Sequence, residues 1–366
     1  MKHLPLHLLL LFSALLFVAA CQKDGSSASG GSSSKTANCY IVSAPGTYSF
    51  QTVKGNSNES VGNVASAVVL WESFGTSSTI SKGSIIQNVS YESSTITYST
   101  PSTLKNGNAV IAAKDASGNI LWSWHIWVCS GYDPVATAQT YYNNAGVMMD
   151  RNLGATSAKP GDVGALGLLY QWGRKDPFLG SSSISSNTQA KSTISWPSPV
   201  ESDATNGTID FAVSHPTTFI TSNTNNYDWY YSKTVHYTDN TRWQAGKTIY
   251  DPCPLGWKVP TGGNSGIWAT ACGDDEFYCA WDFANKGVNF SDKFGSASTI
   301  WYPASGELYG DGSLGRSGKA SVWWSCTPYY YFAYYLGLFY NEGTDADILL
   351  GHDYHATGYS VRCMKE

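Results

Sequence analysis

Short apolar runs separated by turn residues fill residues 38–128, after an N-terminal apolar run and a Ser/Gly-rich segment. Clusters of Gly, Pro, Asn or Ser flank each of these runs. Within many of the runs, apolar and polar residues alternate with a period of two. This pattern is typical of β-strands joined by tight turns. The seven runs are CYIVSA, TYSFQTV, ASAVVLW, SIIQNVSY, TITYST, NAVIAAK and NILWSWHIWV. Their spacing predicts an N-terminal all-β, immunoglobulin-like sandwich at residues 38–130.

The last of these runs has the clearest alternation. Trp122 and Trp124 are expected on one face, and Ser123 and Trp127 on the other. The segment 115–119 before it contains a Gly and predicts a tight hairpin turn. A calcium loop is disfavoured there because the bidentate Glu and the flanking helices are missing.

The N-terminus has the pattern of an export signal. Basic residues precede an apolar run that ends in Val18-Ala19-Ala20-Cys21, which resembles a bacterial lipobox. We therefore predict a lipoprotein signal peptide at 1–20, lipidation of Cys21 and a Ser/Gly tether at 21–37; an ordinary signal peptide with a coincidental Cys is the alternative. The segment Gln22-Lys23-Asp24 resembles a short surface-export signal of Bacteroidetes. The expected location is the outer membrane, with the lipid as anchor and the chain exposed at the cell surface.

Composition and net charge exclude some classes of function. Charged residues make up 13% of the chain, aromatic residues 14%, and the net charge is −5. We find no basic stripe, so nucleic acid is not an expected partner. The abundance of Tyr, Trp, Thr and Gly favours β structure in an extracellular setting.

The cysteines indicate an oxidising compartment. If Cys21 carries lipid, seven Cys residues remain for bridges, an odd number. A bridge closing a loop of about a hundred residues would contribute ~4 to 5 kcal/mol in the chain-entropy model. Sequence does not determine the connectivity. The candidate pairs are Cys39 with Cys129, Cys253 with Cys363, and Cys272 with Cys279, which leaves Cys326 over.

After residue 130 the sequence changes character. Four blocks stand out: GVMMDRNLGATSA, GALGLLYQWGRKDPF, YDPCPLGWKVPT and GYSVRCMKE. In this order and spacing they resemble the major paralogous domain first noted in Fibrobacter succinogenes, common in surface lipoproteins and fimbrillin-like proteins of Bacteroidetes. The resemblance covers about 132–366. It implies an α+β C-type-lectin-like domain of the formylglycine-generating-enzyme subtype at 131–366, with two helices and a central antiparallel sheet.

The blocks also carry local predictions. The apolar spacing in Gly164 to Trp172 predicts an amphipathic helix. Opposite charges in 150–152 and 173–176 are expected to pair and fix loops. The prolines of 250–260 predict a rigid corner, and 180–189 and 206–240 are expected to be long surface loops.

The tail at 323–359 is rich in Tyr and Trp and has no Lys or Arg. Such side chains dominate binding surfaces because they offer rigid apolar area with a polar tip. We therefore predict a ligand-binding face. Its candidate residues are Trp324, Cys326, Tyr329, Tyr330, Tyr331, Phe332, Tyr340, Asn341, Thr344, Asp345, Asp347, His352, Asp353, Tyr354 and His355.

The tail further resembles the variable region of proteins diversified by retroelements that mutate template adenines. Residue types reachable from randomised Asn codons occur at 329–332, 340–341, 344–347 and 352–357, and Cys326 is reachable too. Glu342 is not reachable, so it would be framework. An ordinary Tyr-rich face is the alternative.

Enzymatic signals are weak. The tail has a His-x-x-His spacing, but no metal cluster, carboxylate pair or nucleophile with a base accompanies it. The calcium-dependent sugar motifs Glu-Pro-Asn and Trp-Asn-Asp are absent, so no catalytic residue, metal or cofactor is predicted. The expected function is a surface-displayed ligand-binding protein, an adhesin or receptor-like module, for an unknown protein or glycan on host or neighbouring cells. The alternatives are a structural or tip subunit of a fimbria-like assembly and a glycan-binding accessory lipoprotein.

Overall fold

Strands dominate the computed structural model, which describes residues 36–366 except 226, 274, 275, 342 and 344. The predicted signal peptide, Cys21, nearly all of the tether and Thr344 lie outside the described residues. The described strands are β1 (Cys39–Val42), β2 (Thr47–Gln51), β3 (Ser66–Ser73), β4 (Gln87–Glu92), β5 (Thr95–Ser99), β6 (Gly107–Lys114), β7 (Ile120–Val128), β8 (Gln139–Tyr141), β9 (Gly146–Met148), β10 (Leu168–Gln171), β11 (Phe178–Leu179), β12 (Val200–Glu201), β13 (Ile220–Thr221), β14 (Trp257–Lys258), β15 (Glu276–Ala280), β16 (Gly287–Asn289), β17 (Trp301–Pro303), β18 (Glu307–Leu308), β19 (Leu314–Gly315), β20 (Ala320–Tyr329), β21 (Phe332–Tyr340), β22 (Asp345–Tyr354), β23 (Gly358–Ser360) and β24 (Met364–Lys365).

All seven predicted N-terminal strands are present. They form a four-stranded sheet in the order β1-β7-β6-β3 and a three-stranded sheet in the order β2-β5-β4. Side chains of both sheets, among them Phe50, Ile96 and Trp124, share one buried cluster. The arrangement is that of an all-β sandwich, as the alternation and turn spacing predict.

Strand β7 is buried on both faces. Trp122 and Trp124 enter the sandwich core, whereas Trp127 packs with residues of the C-terminal half such as Leu153 and Leu168. The indole of Trp127 donates to the carbonyl of Ala155 at 3.0 Å. Packing therefore continues across the predicted boundary at residue 130, and the described residues belong to one compact unit.

The C-terminal half is built on a sheet whose main path is β11-β10-β23-β20-β21-β22-β15. Strands β20, β21 and β22 form an antiparallel meander in which Trp323 lies opposite Leu336 and Phe332 opposite Tyr354. Alternate residues enter different cores: Trp323 packs on one side of the sheet and Trp324 on the other. The meander is thus held from both faces.

Helix is a minor component of the described residues. Helix α1 (Ile209–Ser214) begins where the Thr208 side chain accepts from the amide of Phe211, and α2 (Ile267–Cys272) ends at Gly273 with φ 79°. Two 3₁₀ turns lie at Tyr142–Asn144 and Val163–Ala165. None of these helices is long or apolar enough to cross a bilayer.

The helix predicted at Gly164 to Trp172 is wrong. A short 3₁₀ turn ends at Ala165, Gly167 has φ 77°, and the chain then forms β10. All four residues of β10 are buried. The four residues of β10 show no period-2 alternation because both faces of this short strand are buried, so its apolar run is compatible with a helix face.

The predicted pairing of charges does occur. The Arg151 guanidinium donates twice to the Asp150 carboxylate, at 2.8 Å each, and Lys175 Nζ lies 2.8 Å from Asp176 Oδ1. The expectation that 206–240 is a surface loop is wrong in part, because Asp228 and Trp229 within it are buried.

One disulfide joins described cysteines, Cys253–Cys363, with Cα atoms 6.0 Å apart. Its presence matches one of the three candidate pairs.

The predicted Cys39–Cys129 bridge is wrong, since both residues are unbridged. Strand β1 runs parallel to β7 with Cys39 opposite His125. Cys129 is therefore four residues further along, roughly 13 Å away, whereas a disulfide needs Cα atoms within about 7 Å.

The predicted Cys272–Cys279 bridge is also not formed. Cys272 is the last residue of α2, whereas Cys279 lies in β15, which pairs with β22. Burial raises the pKa of the Cys279 thiol to about 11.

Candidate functional site

The predicted ligand-binding residues fall at two opposite ends of the meander. Strand β21 runs from Phe332 to Tyr340, nine residues, so its ends are roughly 27 Å apart. One end carries Tyr329 to Phe332 and, across the ladder, Tyr354. The structure therefore does not bring all predicted residues together. We call the first group, Tyr329, Tyr330, Tyr331, Phe332, His352 and Tyr354, the hairpin-tip array.

The hairpin-tip array is mounted on a two-residue turn. Tyr329 pairs with Phe332, which leaves Tyr330 and Tyr331 as the turn. Tyr330 has φ 54° and is 76% exposed. A bulky non-glycine residue with positive φ is strained, and such strain is typical of functional positions. The side chain of Asn240 fixes the turn by donating to the Tyr330 carbonyl at 2.7 Å.

Rings of the array contact one another across three strands. Ring centroids lie 4.3 Å apart for Tyr331 and Phe332, 4.7 Å for Phe332 and Tyr354, and 4.4 Å for Tyr329 and His352. Phe332 and Tyr354 are directly opposite in the ladder. Because adjacent strands hold these rings, the array is pre-organised rather than a set of independent side chains.

Sequence reasoning missed two members of this surface. The His236 ring stacks on Tyr331 at 4.4 Å with an interplanar angle of 10°, and Tyr227 lies 4.5 Å from Tyr354. Both residues have positive φ, 60° and 54°. The only sequence signal was the Tyr and Asn richness of segment 206–240.

Three predicted contact residues are buried and do not belong to any surface. Trp324 donates its indole N–H to the carbonyl of Tyr170 at 3.0 Å and stacks near Tyr359. Cys326 is 1% exposed, and burial raises the pKa of its thiol to about 12. Sheet alternation explains both placements, because even-numbered residues at this part of β20 face the core that contains the disulfide. The third buried residue is His355.

His355 belongs to a buried charged cluster that supports the array. Its Nδ1 lies 3.0 Å from Asp228 Oδ2, and Arg242 Nη2 lies 2.7 Å from the same oxygen. The imidazole stacks on Trp172 at 4.2 Å. Tyr354 directly precedes His355, so the cluster ties segment 227–242 to the end of β22.

Electrostatics fix the protonation of this cluster. Burial opposes the charge of Asp228, but the Arg242 guanidinium and the hydrogen bonds from His355 and Thr238 outweigh it and hold the pKa of Asp228 well below its usual range. Burial lowers the pKa of His355. The imidazole is therefore neutral and donates its Nδ1 hydrogen to Asp228. These contacts make the cluster a structural clamp between segment 227–242 and the end of β22.

Asp353 is half-buried beside the array. Its carboxylate accepts the hydroxyl hydrogen of Tyr359 and, at 2.7 Å, the amide of Tyr354. These bonds position the end of β22 and use one acceptor site on each carboxylate oxygen of Asp353.

The far end of the meander carries the remaining predicted residues. Tyr340 packs against Trp281 with ring centroids at 5.1 Å. Asn341 and Asp345 are exposed, and the Asn341 amide lies 3.4 Å from the Asp347 carboxylate. In the ladder, Asp347 is opposite Phe339 and Tyr340 opposite Ala346, so the acid and the ring face opposite sides of the sheet.

Positions compatible with retroelement diversification are likewise divided. Tyr330, His352 and Asp345 are exposed. Ala346 and Ala356, in contrast, are fully buried in two separate clusters, and larger side chains there would clash with packed neighbours.

The hairpin-tip array presents aromatic rings, tyrosine hydroxyls and one imidazole. It offers exposed rings and hydroxyls, and among the described residues no three His, Cys, Asp or Glu side chains are grouped so as to hold a metal ion. No protein-family model, curated protein or solved structure matches the chain.

Proposed function

We propose that this chain is a surface-displayed ligand-binding protein, an adhesin or receptor-like module, that binds its ligand with the hairpin-tip array. The observation that carries the proposal is the stack of aromatic rings around Tyr330, which is 76% exposed at a strained turn. Exposed, pre-organised tyrosines are typical energetic centres of interfaces. The expected partner is a protein or glycan on host or neighbouring cells.

The N-terminal sequence supports display of the chain at the cell surface. The lipobox-like Cys21 would anchor the chain to the outer membrane and the Ser/Gly tether would extend it from the cell surface. The resemblance to the Fibrobacter major paralogous domain supports a C-type-lectin-like frame for the C-terminal half, after an immunoglobulin-like sandwich.

Three substitutions test the array directly. Tyr330→Ala, Tyr331→Ala and Tyr354→Ala together remove one exposed ring and two half-buried rings without emptying a core position. We expect binding of the fluorescently labelled chain to host cells, measured by flow cytometry, to fall by roughly 30-fold or more, since one central aromatic contributes about 2 kcal/mol.

The matched control replaces exposed tyrosines elsewhere. Tyr142 and Tyr278 are 37% and 62% exposed and lie outside the array, so Tyr142→Ala with Tyr278→Ala should leave binding unchanged. Undiminished binding of the array variant would overturn the proposal. Loss of fimbria-like assembly with cell binding retained would instead assign the array to subunit contact.

The proposed origin of the tail has its own test. If a retroelement diversifies it, the DNA flanking the gene contains a reverse transcriptase and a template repeat that ends at the segment encoding GYSVRC. The repeat should differ from the gene only at adenines. A flanking region with neither element would exclude diversification and leave the binding proposal intact.

A further inference from the structure

A second concave site lies away from the hairpin-tip array, at the far end of the meander. The cavity has a volume of about 180 Å³, and an aromatic group, two lysines and two serines line it. We propose that this cavity binds a carboxylate-bearing monosaccharide, a sugar acid. The proposal does not depend on the array or on its ligand.

The apolar part of the site is a group of three rings. Trp281 is 5% exposed and forms the floor, and Tyr340 packs on it at 5.1 Å. Phe283 meets Tyr340 edge-on at 5.7 Å and is 49% exposed. One exposed ring beside a half-buried and a buried ring offers apolar area for the face of a ligand ring.

The charge of the site selects an anion. Lys286 and Lys319 both line the cavity, and neither forms an ion pair with a carboxylate of the described residues. No Asp or Glu lines the cavity. The nearest acid in sequence, Asp282, is engaged by the backbone amides of residues 284 and 285 and by the Asn285 side chain. Two unpaired ammonium groups favour a carboxylate.

Backbone geometry holds both lysines in place. Lys286 has φ 53°, a strained conformation for a non-glycine residue, and its carbonyl accepts from Ala304 at 2.9 Å. The Lys319 carbonyl accepts the amide of Tyr340 at 2.8 Å, which couples a lysine to a ring of the same site.

A hydroxyl distinguishes a sugar acid from a plain aromatic acid. Ser317 lines the cavity and is 5% exposed, and its buried Oγ has no hydrogen-bonding partner among the described protein atoms. A buried hydroxyl without a partner is costly. Ser185 adds a second hydroxyl at the rim. The ring hydroxyls of a sugar acid can pair with these serines while its carboxylate pairs with the lysines, whereas benzoate has only the carboxylate.

The test measures binding of D-glucuronate to the purified full-length chain by titration calorimetry and saturation-transfer NMR. D-Glucose has the ring without the charge, and benzoate has the charge without the hydroxyls. We expect glucuronate to bind at least tenfold more tightly than either, because each comparison removes one class of contact. Equal binding of benzoate or glucose, or no binding of glucuronate at millimolar concentration, would overturn the proposal.

Substitutions of the residues that line the cavity test whether glucuronate binds there. Lys286→Gln with Lys319→Gln, and separately Phe283→Ala, should each weaken glucuronate binding at least tenfold. Lys82→Gln, at an exposed lysine outside the site, should not change glucuronate binding. If this variant loses as much affinity as the site variants, the binding depends on surface charge in general and the proposed site is refuted. The array variant Tyr330→Ala with Tyr331→Ala should retain glucuronate binding, so the two proposals fail separately.

Discussion

Two buried carboxylates show how one residue's neighbours decide its charge. Asp228 shares its site with Arg242, whose side chain is 1% exposed, and its pKa is lowered. Glu307 is paired at 3.2 Å with Arg316, but that side chain is 49% exposed. Solvent screens the second pair more strongly. Burial therefore dominates and raises the pKa of Glu307 to about 7.

The raised pKa of Glu307 predicts a pH-dependent contribution to stability. The folded state holds the proton up to about pH 7, whereas the unfolded chain releases it near pH 4.5. Between these values the folded state binds more protons, so this residue's contribution to the free energy of unfolding falls as pH rises, by up to ~3 kcal/mol. In Glu307→Gln this residue's contribution to the pH dependence disappears. Urea unfolding at pH 5 and pH 8 should show the variant gaining stability relative to the native chain at the higher pH.

The matched control for this measurement is Glu92→Gln, at an exposed position. Other buried groups, such as Asp251 and His355, titrate in both proteins, so the difference between them isolates Glu307. Parallel pH curves for the native chain and Glu307→Gln would contradict the assignment.

At the scale of elements, the C-terminal segment contributes strands to two different sheets. Strand β23 pairs with β10 and β20, and β24 pairs with β14 and β9. Between them Cys363 is bonded to Cys253, which lies 110 residues earlier. Both cysteines are fully buried in the core shared with Trp324.

Removing this disulfide should be costly. For Cys253→Ala with Cys363→Ala, the chain-entropy model predicts a loss of ~4 to 5 kcal/mol in the free energy of unfolding. Denaturant unfolding with and without reductant measures it. The double variant itself should not respond to reductant. The control is Cys39→Ala, at a buried cysteine without a bridge, which keeps the disulfide and should lose stability in reductant as the native chain does. A native chain indifferent to reductant would rule out the contribution.

Sequence pattern predicts β7 but not β10, although both strands are buried on both faces. The alternation in 119–128 predicted β7 and the sides of Trp124 and Trp127 correctly. The four residues of β10 are all buried, and their run suggested a helix instead. The predicted ligand-binding residues are expected on one face because they are close in sequence. A nine-residue strand separates them in space, and long-range partners such as His236 have no local signal.

At the scale of the whole molecule, the two halves share a core. Trp127 is fully buried between the sandwich and the C-terminal half, beside Tyr132 and Leu153. Contacts of this kind make unfolding of the halves cooperative.

Trp127→Ala tests that cooperativity. We expect a loss of about 3 to 5 kcal/mol from the cavity it leaves, with a single calorimetric transition at a lower temperature. Trp196→Ala, at a half-buried position, should cost less. Two separate transitions, only one of them shifted by Trp127→Ala, would show that the halves unfold independently.

The position of β23 and β24 also sets the order of folding events during synthesis. They are the last of the described strands to be made, yet β23 lies in the middle of the large sheet, between β10 and β20. A chain still emerging can form the strands of the N-terminal sandwich, but the indole of Trp324 has no finished core until residues 358–363 are made, because Tyr359, Val361 and Cys363 belong to the same cluster. A chain whose synthesis stops early therefore lacks the frame that positions the hairpin-tip array, and only chains translated through these strands can present it.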